Sequence, residues 1–361
     1  MEALRKEIQY ESARYVDYSI ESVFFGGGTP SILEASEIAR VLDCLRKYYK
    51  LNCDVEITVE MNPGTADEDK LRRLRKAGVN RLSIGLQSAE NTELRLLGRI
   101  HTYEDFLQTY YQARDAGFAN INIDLMSALP GQTTESWIRT LETITALKPE
   151  HISAYSLIIE PGTVLCDRLE EYPPVPGEDA DRLMYRMTKQ ILAENGYQRY
   201  EISNYAKKGY ACRHNKIYWQ RGIDHTANYA GFGLGASSLF ENVRWKNTED
   251  MEEYLRVFAG SGESADEKRC LYGEAQRETE KLSKKDWMEE FMFLGLRMMQ
   301  GVSKREFARS FGNSMEMVYG GTLQRWARQG MLVEEGDSVR LTDAGIDVSN
   351  VVLADFLLNM L

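Results

Sequence analysis

The first half of the chain alternates short apolar runs with amphipathic segments of helical period. The apolar runs are Ser22–Phe25, Val55–Glu60, Arg81–Leu86, Asn120–Met126 and Ile152–Ile159. The amphipathic segments between them are Ala35–Tyr49, Glu68–Ala77, Tyr103–Ala116 and Thr134–Leu147. Strands that alternate with helices of this length are typical of βαβ units and a parallel sheet. The pattern predicts an α/β fold with a complete or partial (β/α) barrel, and a doubly wound open sheet is the alternative.

The alternation of apolar runs and amphipathic segments ends after Ile159. A stiff connector at Tyr172–Gly177 precedes one more helix at Asp179–Asn195 and a strand at Tyr197–Ile202. The polar, charge-dense stretch from 242 to about 285 predicts a helix and a linker.

A compact C-terminal module follows. Three helices, at Phe291–Met299, Lys304–Phe311 and Val318–Gln329, precede a hairpin across Glu335-Gly-Asp. This order predicts a winged-helix-like domain, and the predicted division of the chain is 1–205, 206–285 and 286–361. Gln324, Arg325 and Arg328 on the third helix suggest DNA binding. With a net charge of -11 we favour a packing role and expect no nucleic-acid partner.

Composition restricts the location and the metal chemistry. No apolar run approaches the ~20 residues that cross a bilayer, and the N-terminus has no signal core, so we expect a cytoplasmic protein without an integral membrane segment. The five cysteines form no C-x-x-C pair, so no zinc ribbon or thioredoxin-type site is encoded locally.

Polar residues collect where the predicted strands end. A strand leads directly into Gly26-Gly-Gly-Thr29, and consecutive glycines let a ligand approach the backbone closely. Glu60, Gln87 and Asp124 follow or interrupt three other strands. Because the C-terminal ends of parallel barrel strands converge on one face, these residues together predict a ligand site.

Seven segments resemble a known family, in its order and at its spacing. They are Gly26-Gly-Gly-Thr-Pro-Ser31, Glu60-Met-Asn-Pro-Gly-Thr65, Ser83-Ile-Gly-Leu-Gln-Ser88, Leu97-Gly-Arg-Ile-His101, Asn122-Ile-Asp-Leu-Met-Ser-Ala-Leu-Pro130, Glu160-Pro-Gly-Thr163 and Gly231-Phe-Gly-Leu-Gly-Ala-Ser-Ser238. The chain resembles the radical S-adenosylmethionine (radical-SAM) family of oxygen-independent coproporphyrinogen III oxidases. The resemblance runs from about residue 3 to the C-terminus.

The resemblance implies a cofactor pocket. Gly27, Gly28 and Thr29 would line the methionine end of S-adenosylmethionine, and the pocket would be completed by Glu60, Gln87, Arg99 and Asp124. A guanidinium suits the ligand carboxylate, whereas carboxylates and an amide suit the amino group and the ribose hydroxyls. Without the resemblance, Arg99 would be interpreted as a solvated cation at a helix end.

Family members also carry C-x-x-x-C-x-x-C after the first barrel strand, where three thiolates hold a [4Fe–4S] cluster. This chain lacks that segment and the strand before it, so the expected fold is a partial barrel of the radical-SAM type without its first strand. We favour an incomplete chain over a natural loss of the cluster. As written, the polypeptide is not expected to perform radical chemistry, and whether it is an enzyme is left open.

A later segment resembles the haem-chaperone branch of the family. His214-Asn215-Lys-Ile-Tyr218-Trp219 carries that branch's H-N-x-x-Y-W signature. The imidazole of His214 would ligate haem iron, and Tyr218 and Trp219 offer flat apolar surface to a porphyrin. We therefore predict a chaperone that binds haem and passes it to an acceptor protein that the sequence does not identify. The alternatives are an oxidase that decarboxylates coproporphyrinogen III and a cluster-free binding module.

Overall fold

The computed structural model describes residues 1–221, 227–259 and 275–358. The chain forms two compact units. One, here called the barrel unit, comprises Ser22–Ala39 and Asp54–Cys212. The other, called the terminal unit, comprises Met1–Glu21, Arg40–Cys53 and Arg213–Leu361. The predicted division into 1–205, 206–285 and 286–361 stays a prediction.

A seven-stranded sheet has the strand order β1-β2-β3-β4-β5-β7-β6. Its strands are β1 (Ser19–Phe25), β2 (Lys50–Met61), β3 (Arg81–Gln87), β4 (Ile121–Ser127), β5 (His151–Ser156), β6 (Gln198–Arg199) and β7 (Asn204–Ala206). Strands β2 to β5 are parallel neighbours, whereas β7 is antiparallel to both β5 and β6.

The strand order confirms the predicted fold class. Strands β1 to β5 lie side by side in chain order, without the reversal that defines a doubly wound sheet. The sheet curls into a half-barrel, so the partial-barrel prediction is correct and the open-sheet alternative is wrong. The single predicted strand at Tyr197–Ile202 is instead the short pair β6 and β7.

The helices in chain order are α1 (Glu2–Glu11), α2 (Ala35–Tyr48), α3 (Glu68–Ala77), α4 (Asn91–Leu96), α5 (Tyr103–Asp115), α6 (Thr134–Ala146), α7 (Val164–Asp167), α8 (Glu178–Glu194), α9 (Arg213–Trp219), α10 (Met251–Ala259), α11 (Lys284–Gly295), α12 (Lys304–Phe311), α13 (Met315–Arg328), α14 (Asp343–Asp347) and α15 (Ser349–Ala354). Local signals set the ends of several of them. The side chain of Asp67 accepts the Lys70 N–H at the start of α3, and Gly78 ends this helix with a φ of 108°.

The terminal unit contains two small sheets. The first has the order β10-β9-β8, with β8 at Ser237–Phe240, β9 at Val243–Asn247 and β10 at Gln276–Lys281. Glu241 and Asn242, both with positive φ, form the two-residue turn between β8 and β9. The sequence predicted only helix and linker here, because β10 is a charged, exposed strand without an apolar alternation.

The second small sheet completes the predicted winged-helix-like domain. Strands β11 (Val302–Ser303), β12 (Leu332–Glu335) and β13 (Ser338–Leu341) have the order β11-β13-β12 and accompany helices α11 to α13. On α13, Arg325 forms an ion pair with Asp355, and Trp326 donates to the same carboxylate. Arg325 is thus paired within the domain, and the expected absence of a nucleic-acid partner stays a prediction.

A buried carboxylate joins distant parts of the terminal unit. Glu7 on α1 accepts hydrogen bonds from the Gly233 backbone (2.8 Å), the Asn247 amide (2.6 Å) and the Tyr254 hydroxyl (2.5 Å). Burial raises the pKa of Glu7 to about 7, although these three donors act in the opposite direction. The contact fixes α1 against strand β9, helix α10 and the glycine-rich loop at Gly231–Ser238.

Within the described part of the chain, each helix is too short or too polar to span a bilayer.

Candidate functional site

The inward-facing side chains of the half-barrel are polar. Glu60 lies opposite Ser83, and Gly85 lies opposite Asp124, so Glu60 and Asp124 face the same side of the sheet across strand β3. A Cβ built on Gly85, on the same face, would meet Gln87 Nε2 at 3.1 Å, so the predicted pocket residues of β2, β3 and β4 share one face, as the convergence of parallel strands requires.

The glycine triplet lies against Glu60. The backbone N–H of Gly27 donates to the Glu60 carboxylate. A Cβ built on Gly26 would come within 3.2 Å of Glu60 Oε2 and 3.0 Å of the Phe24 ring, so a side chain there would require Glu60 or Phe24 to shift. Gly27 and Gly28 have φ values of 75° and 63°, and a Cβ on either would meet no atom within 4 Å. The loop thus presents bare backbone to open space, as a ligand cradle requires.

Asn62 joins two of the predicted residues. Its amide nitrogen lies 3.3 Å from Thr29 Oγ1, and its Oδ1 accepts from Arg99 Nη1 at 3.3 Å. Arg99 is therefore held at the pocket rather than solvated at a helix end. The sequence analysis missed Asn62, although it lies inside the segment Glu60–Thr65 on which the resemblance rests.

Gln87 occupies an unusual backbone position. Its φ is 76°, and the register between β3 and β4 shifts between Gly85 and Gln87. Positive φ is uncommon outside glycine and concentrates at functional sites. The side chain is 4% exposed, and its Oε1 accepts from the Tyr155 hydroxyl at 3.2 Å. Tyr155 was not predicted, because an aromatic residue on an apolar strand gives no polar signal.

Asp124 is surrounded by donors. Ser83 Oγ donates to Oδ2 at 3.1 Å, Asn122 Nδ2 donates to Oδ1 at 2.7 Å, and Ser153 also donates to the carboxylate. Burial of an unpaired carboxylate, which would be costly, is thereby avoided.

Charges of both signs meet in the pocket. Burial raises the pKa of Glu60, and the nearby Asp124 carboxylate raises it further. Burial likewise raises the pKa of Asp124, against its three donors and the Arg81 guanidinium. Burial first, and then Asp124, raise the pKa of Tyr155 to about 12. Two carboxylates together with Arg99 suit a zwitterionic ligand that carries an ammonium and a carboxylate.

The predicted haem residues lie on helix α9 of the terminal unit. His214 Nε2 and the Tyr218 hydroxyl are 3.0 Å apart, and the two rings pack edge to face. Tyr218 also packs edge to face with Tyr229, and the Arg297 guanidinium lies 4.3 Å from the centre of the Trp219 ring. Asn215 occupies the same helix and is partly exposed. Residues 222–226, which include His225, fall outside the described ranges.

The cysteines do not fit an iron–sulfur cluster. Among residues 1–221, 227–259 and 275–358, no group of three or more His, Cys, Asp or Glu side chains is placed to hold a metal ion. Cys212 is fully buried, and its thiol donates to Glu56 at 3.3 Å. Cys53 is exposed, and Cys44 and Cys166 are partly buried. The described residues thus bring no set of three thiolates together for an iron–sulfur cluster.

Two family models match the chain. The radical SAM superfamily model matches residues 4–144, and the HemN C-terminal domain model matches residues 282–348. The first range includes every predicted S-adenosylmethionine residue, and the second lies in the winged-helix-like domain.

Two curated relatives match almost the whole chain. The haem chaperone HemW of Bacillus subtilis is 34% identical over 99% of this chain and 90% of its own length. The haem chaperone HemW of Lactococcus lactis is 36% identical over 94% of this chain and 85% of its own length. Among solved structures, the coproporphyrinogen III oxidase HemN of Escherichia coli superposes with a TM-score of 0.82. It covers 99% of this chain and 82% of the oxidase, but its 22% identity supports the fold alone.

Proposed function

This chain belongs to the haem chaperone HemW family of the radical S-adenosylmethionine superfamily, and on that premise we propose that it binds haem and transfers it to an acceptor protein. The proposal rests on sequence identities of 34% and 36% to two haem chaperones over most of their length.

We propose that the pocket of the barrel unit binds S-adenosylmethionine. Arg99, held by Asn62, would pair with the ligand carboxylate, and Glu60 would pair with its ammonium group. The bare backbone of Gly27 and Gly28 would let the methionine end lie against the loop. Thr29 would line the same end, while Gln87 and Asp124 would hydrogen-bond the ribose hydroxyls.

We further propose that helix α9 handles the porphyrin. His214 would ligate the haem iron through Nε2, exchanging its hydrogen bond to Tyr218 for the metal. Tyr218 and Trp219 would contact the porphyrin plane, and Asn215 would offer an amide at its edge. A bound haem supplies the group to be delivered, whereas α9 supplies the ligand and the aromatic surface.

The haem proposal is tested by titrating haem into the wild type and into His214→Ala. We expect the variant to lose the Soret maximum of the axially ligated form, whereas His101→Ala, which alters a histidine of the barrel unit, keeps it. Identical Soret spectra for wild type and His214→Ala would remove the axial role.

Transfer is tested with an apo b-type haem protein as acceptor. We expect the haem-loaded chain to deliver haem faster than haem dissociates from it in the absence of acceptor. A rate limited by that dissociation would contradict a chaperone function and would leave a passive haem carrier.

The other functions have less support. The oxidase alternative is supported only by a structure at 22% identity, which speaks for the fold and not for the reaction. A [4Fe–4S] cluster would need thiolates that the described residues do not bring together.

A further inference from the structure

A chain of short hydrogen bonds runs through the interior of the half-barrel to Asp124. The Tyr200 hydroxyl lies 2.9 Å from His151 Nε2, and His151 Nδ1 lies 2.6 Å from Asn122 Oδ1. Asn122 Nδ2 then donates to Asp124 Oδ1 at 2.7 Å and to Ser83 Oγ at 2.8 Å. His151 is fully buried and Asn122 is 2% exposed. None of the first three residues was assigned a role in the pocket by sequence.

The ionised form of Asp124 sets the directions of the bonds in this chain. An ionised carboxylate only accepts, so the Asn122 amide then presents its nitrogen to Asp124 and its oxygen to His151. His151 must then carry its proton on Nδ1. Burial holds the pKa of His151 well below its usual range, so the ring is neutral and its Nε2 accepts from Tyr200. The amide of Asn122 therefore has only one orientation that satisfies both neighbours.

Ser153 lies beside the same amide. Its Oγ is 3.2 Å from Asn122 Oδ1 and 2.8 Å from Asn204 Oδ1, and its single hydroxyl proton is donated to only one acceptor at a time, Asp124 included. Asn204 Nδ2 donates to the buried Glu201 carboxylate at 2.6 Å. The hydrogen-bonded chain through His151 and the contacts of Ser153 both reach the stretch Tyr200–Asn204, which includes the start of β7 and precedes helix α9 in the chain.

We propose that Asn122 and His151 are positioning residues that orient the Asp124 carboxylate for its ligand and connect the pocket to the Tyr200–Asn204 stretch. Asn122 acts on Asp124 directly, and His151 acts through Asn122. The inference rests on the proposed binding of S-adenosylmethionine at Asp124. By reciprocity, any rearrangement of Tyr200 or Asn204 that releases His151 or Ser153 changes ligand affinity in the pocket.

The test measures S-adenosylmethionine affinity by equilibrium dialysis for the wild type, Asn122→Leu, His151→Phe and the double variant. Loss of a hydrogen bond to a charged group is expected to weaken binding about tenfold in Asn122→Leu. His151→Phe should weaken it by a smaller factor. Because His151 acts through Asn122, the double variant should bind no more weakly than Asn122→Leu.

Two milder substitutions distinguish a loss of positioning from a loss of folding. Tyr200→Phe removes one oxygen from the chain of bonds, whereas Tyr185→Phe removes a hydroxyl that donates to the Ile202 carbonyl in the same stretch. We expect weaker binding only in Tyr200→Phe. The positioning role would be overturned if the double variant lost affinity by the product of the two single-variant factors. Equal affinities of Tyr200→Phe and Tyr185→Phe for S-adenosylmethionine would overturn it as well. Failure of the wild type to bind S-adenosylmethionine would instead refute the proposed pocket, and the inference with it.

Discussion

His214 Nε2 and the hydroxyl oxygen of Tyr218 are 3.0 Å apart, one helical turn from each other on α9. The nitrogen that is proposed to ligate haem iron is thus already engaged in a hydrogen bond. Iron and the tyrosine hydroxyl compete for the same lone pair whenever the imidazole is neutral with its proton on Nδ1. Haem capture on this helix therefore carries the cost of one broken hydrogen bond.

Replacing Tyr218 by Phe removes the competitor and keeps the aromatic ring. A net hydrogen bond is worth about 1 kcal/mol, so we expect haem affinity to rise by up to about fivefold. Titration of haem followed at the Soret band measures this, with His214→Ala as the reference for loss of the ligand. If Tyr218→Phe weakens binding as much as His214→Ala, the tyrosine oxygen itself belongs to the haem site.

Glu60 should make S-adenosylmethionine binding sensitive to acid. Burial and the Asp124 carboxylate raise the pKa of Glu60, so its ionised form is lost at a higher pH than for an ordinary glutamate. Only the ionised form attracts the ligand ammonium, and we expect affinity to fall as the pH is lowered from 7 to 5. Glu60→Gln should bind weakly with a flatter profile, as measured by equilibrium dialysis across this range. A parallel decline in variant and wild type would assign the effect to another group, such as Asp124.

Gly28 offers a test that separates strain from ligand contact. Alanine at its φ of 63° should cost about 1–2 kcal/mol of stability, and its Cβ would project into the open space proposed for the ligand. Gly117 has a φ of 88° and equally free surroundings, but precedes β4 at the opposite end of the strands. We expect similar losses of stability in urea from Gly28→Ala and Gly117→Ala, and loss of S-adenosylmethionine affinity only in the first. Equal affinities would move the ligand away from the loop.

Glu7 should make folding stability depend on pH. Its pKa is raised to about 7 from the ordinary 4.5, so the folded state binds a proton that the unfolded state releases. The contribution of Glu7 to the free energy of unfolding is complete below about pH 4.5 and is lost as the pH rises through about 7. The free energy of unfolding falls by no more than about 1.4 kcal/mol per pH unit on this account. Urea unfolding at pH 5 and pH 8 should show a smaller difference for Glu7→Gln than for the wild type. The exposed Glu2→Gln on the same helix serves as control, and a difference for Glu7→Gln as large as that of the wild type would refute the assignment.

The sequence by itself determined the elements of the barrel and predicted which polar residues lie along its strands. Apolar runs alternating with helical segments predicted β1 to β5 because the central parallel strands β3 to β5 are largely buried and each covering helix has one apolar side. Glu60, Gln87 and Asp124 were predictable as neighbours because the C-terminal ends of such strands meet on one face.

Tertiary structure alone decided which polar groups complete the site. The fold sets the positive φ of Gln87. It also brings together residues that are distant in sequence, in the hydrogen bond between Asn62 and Arg99 and in the chain of bonds from Tyr200 through His151 to Asn122. The antiparallel β7 and the charged strand β10 were likewise invisible to apolar periodicity. A hydrogen bond depends on distance and angle between two atoms, and the fold brings those atoms together, whereas periodicity reports only which side of its own element a residue occupies.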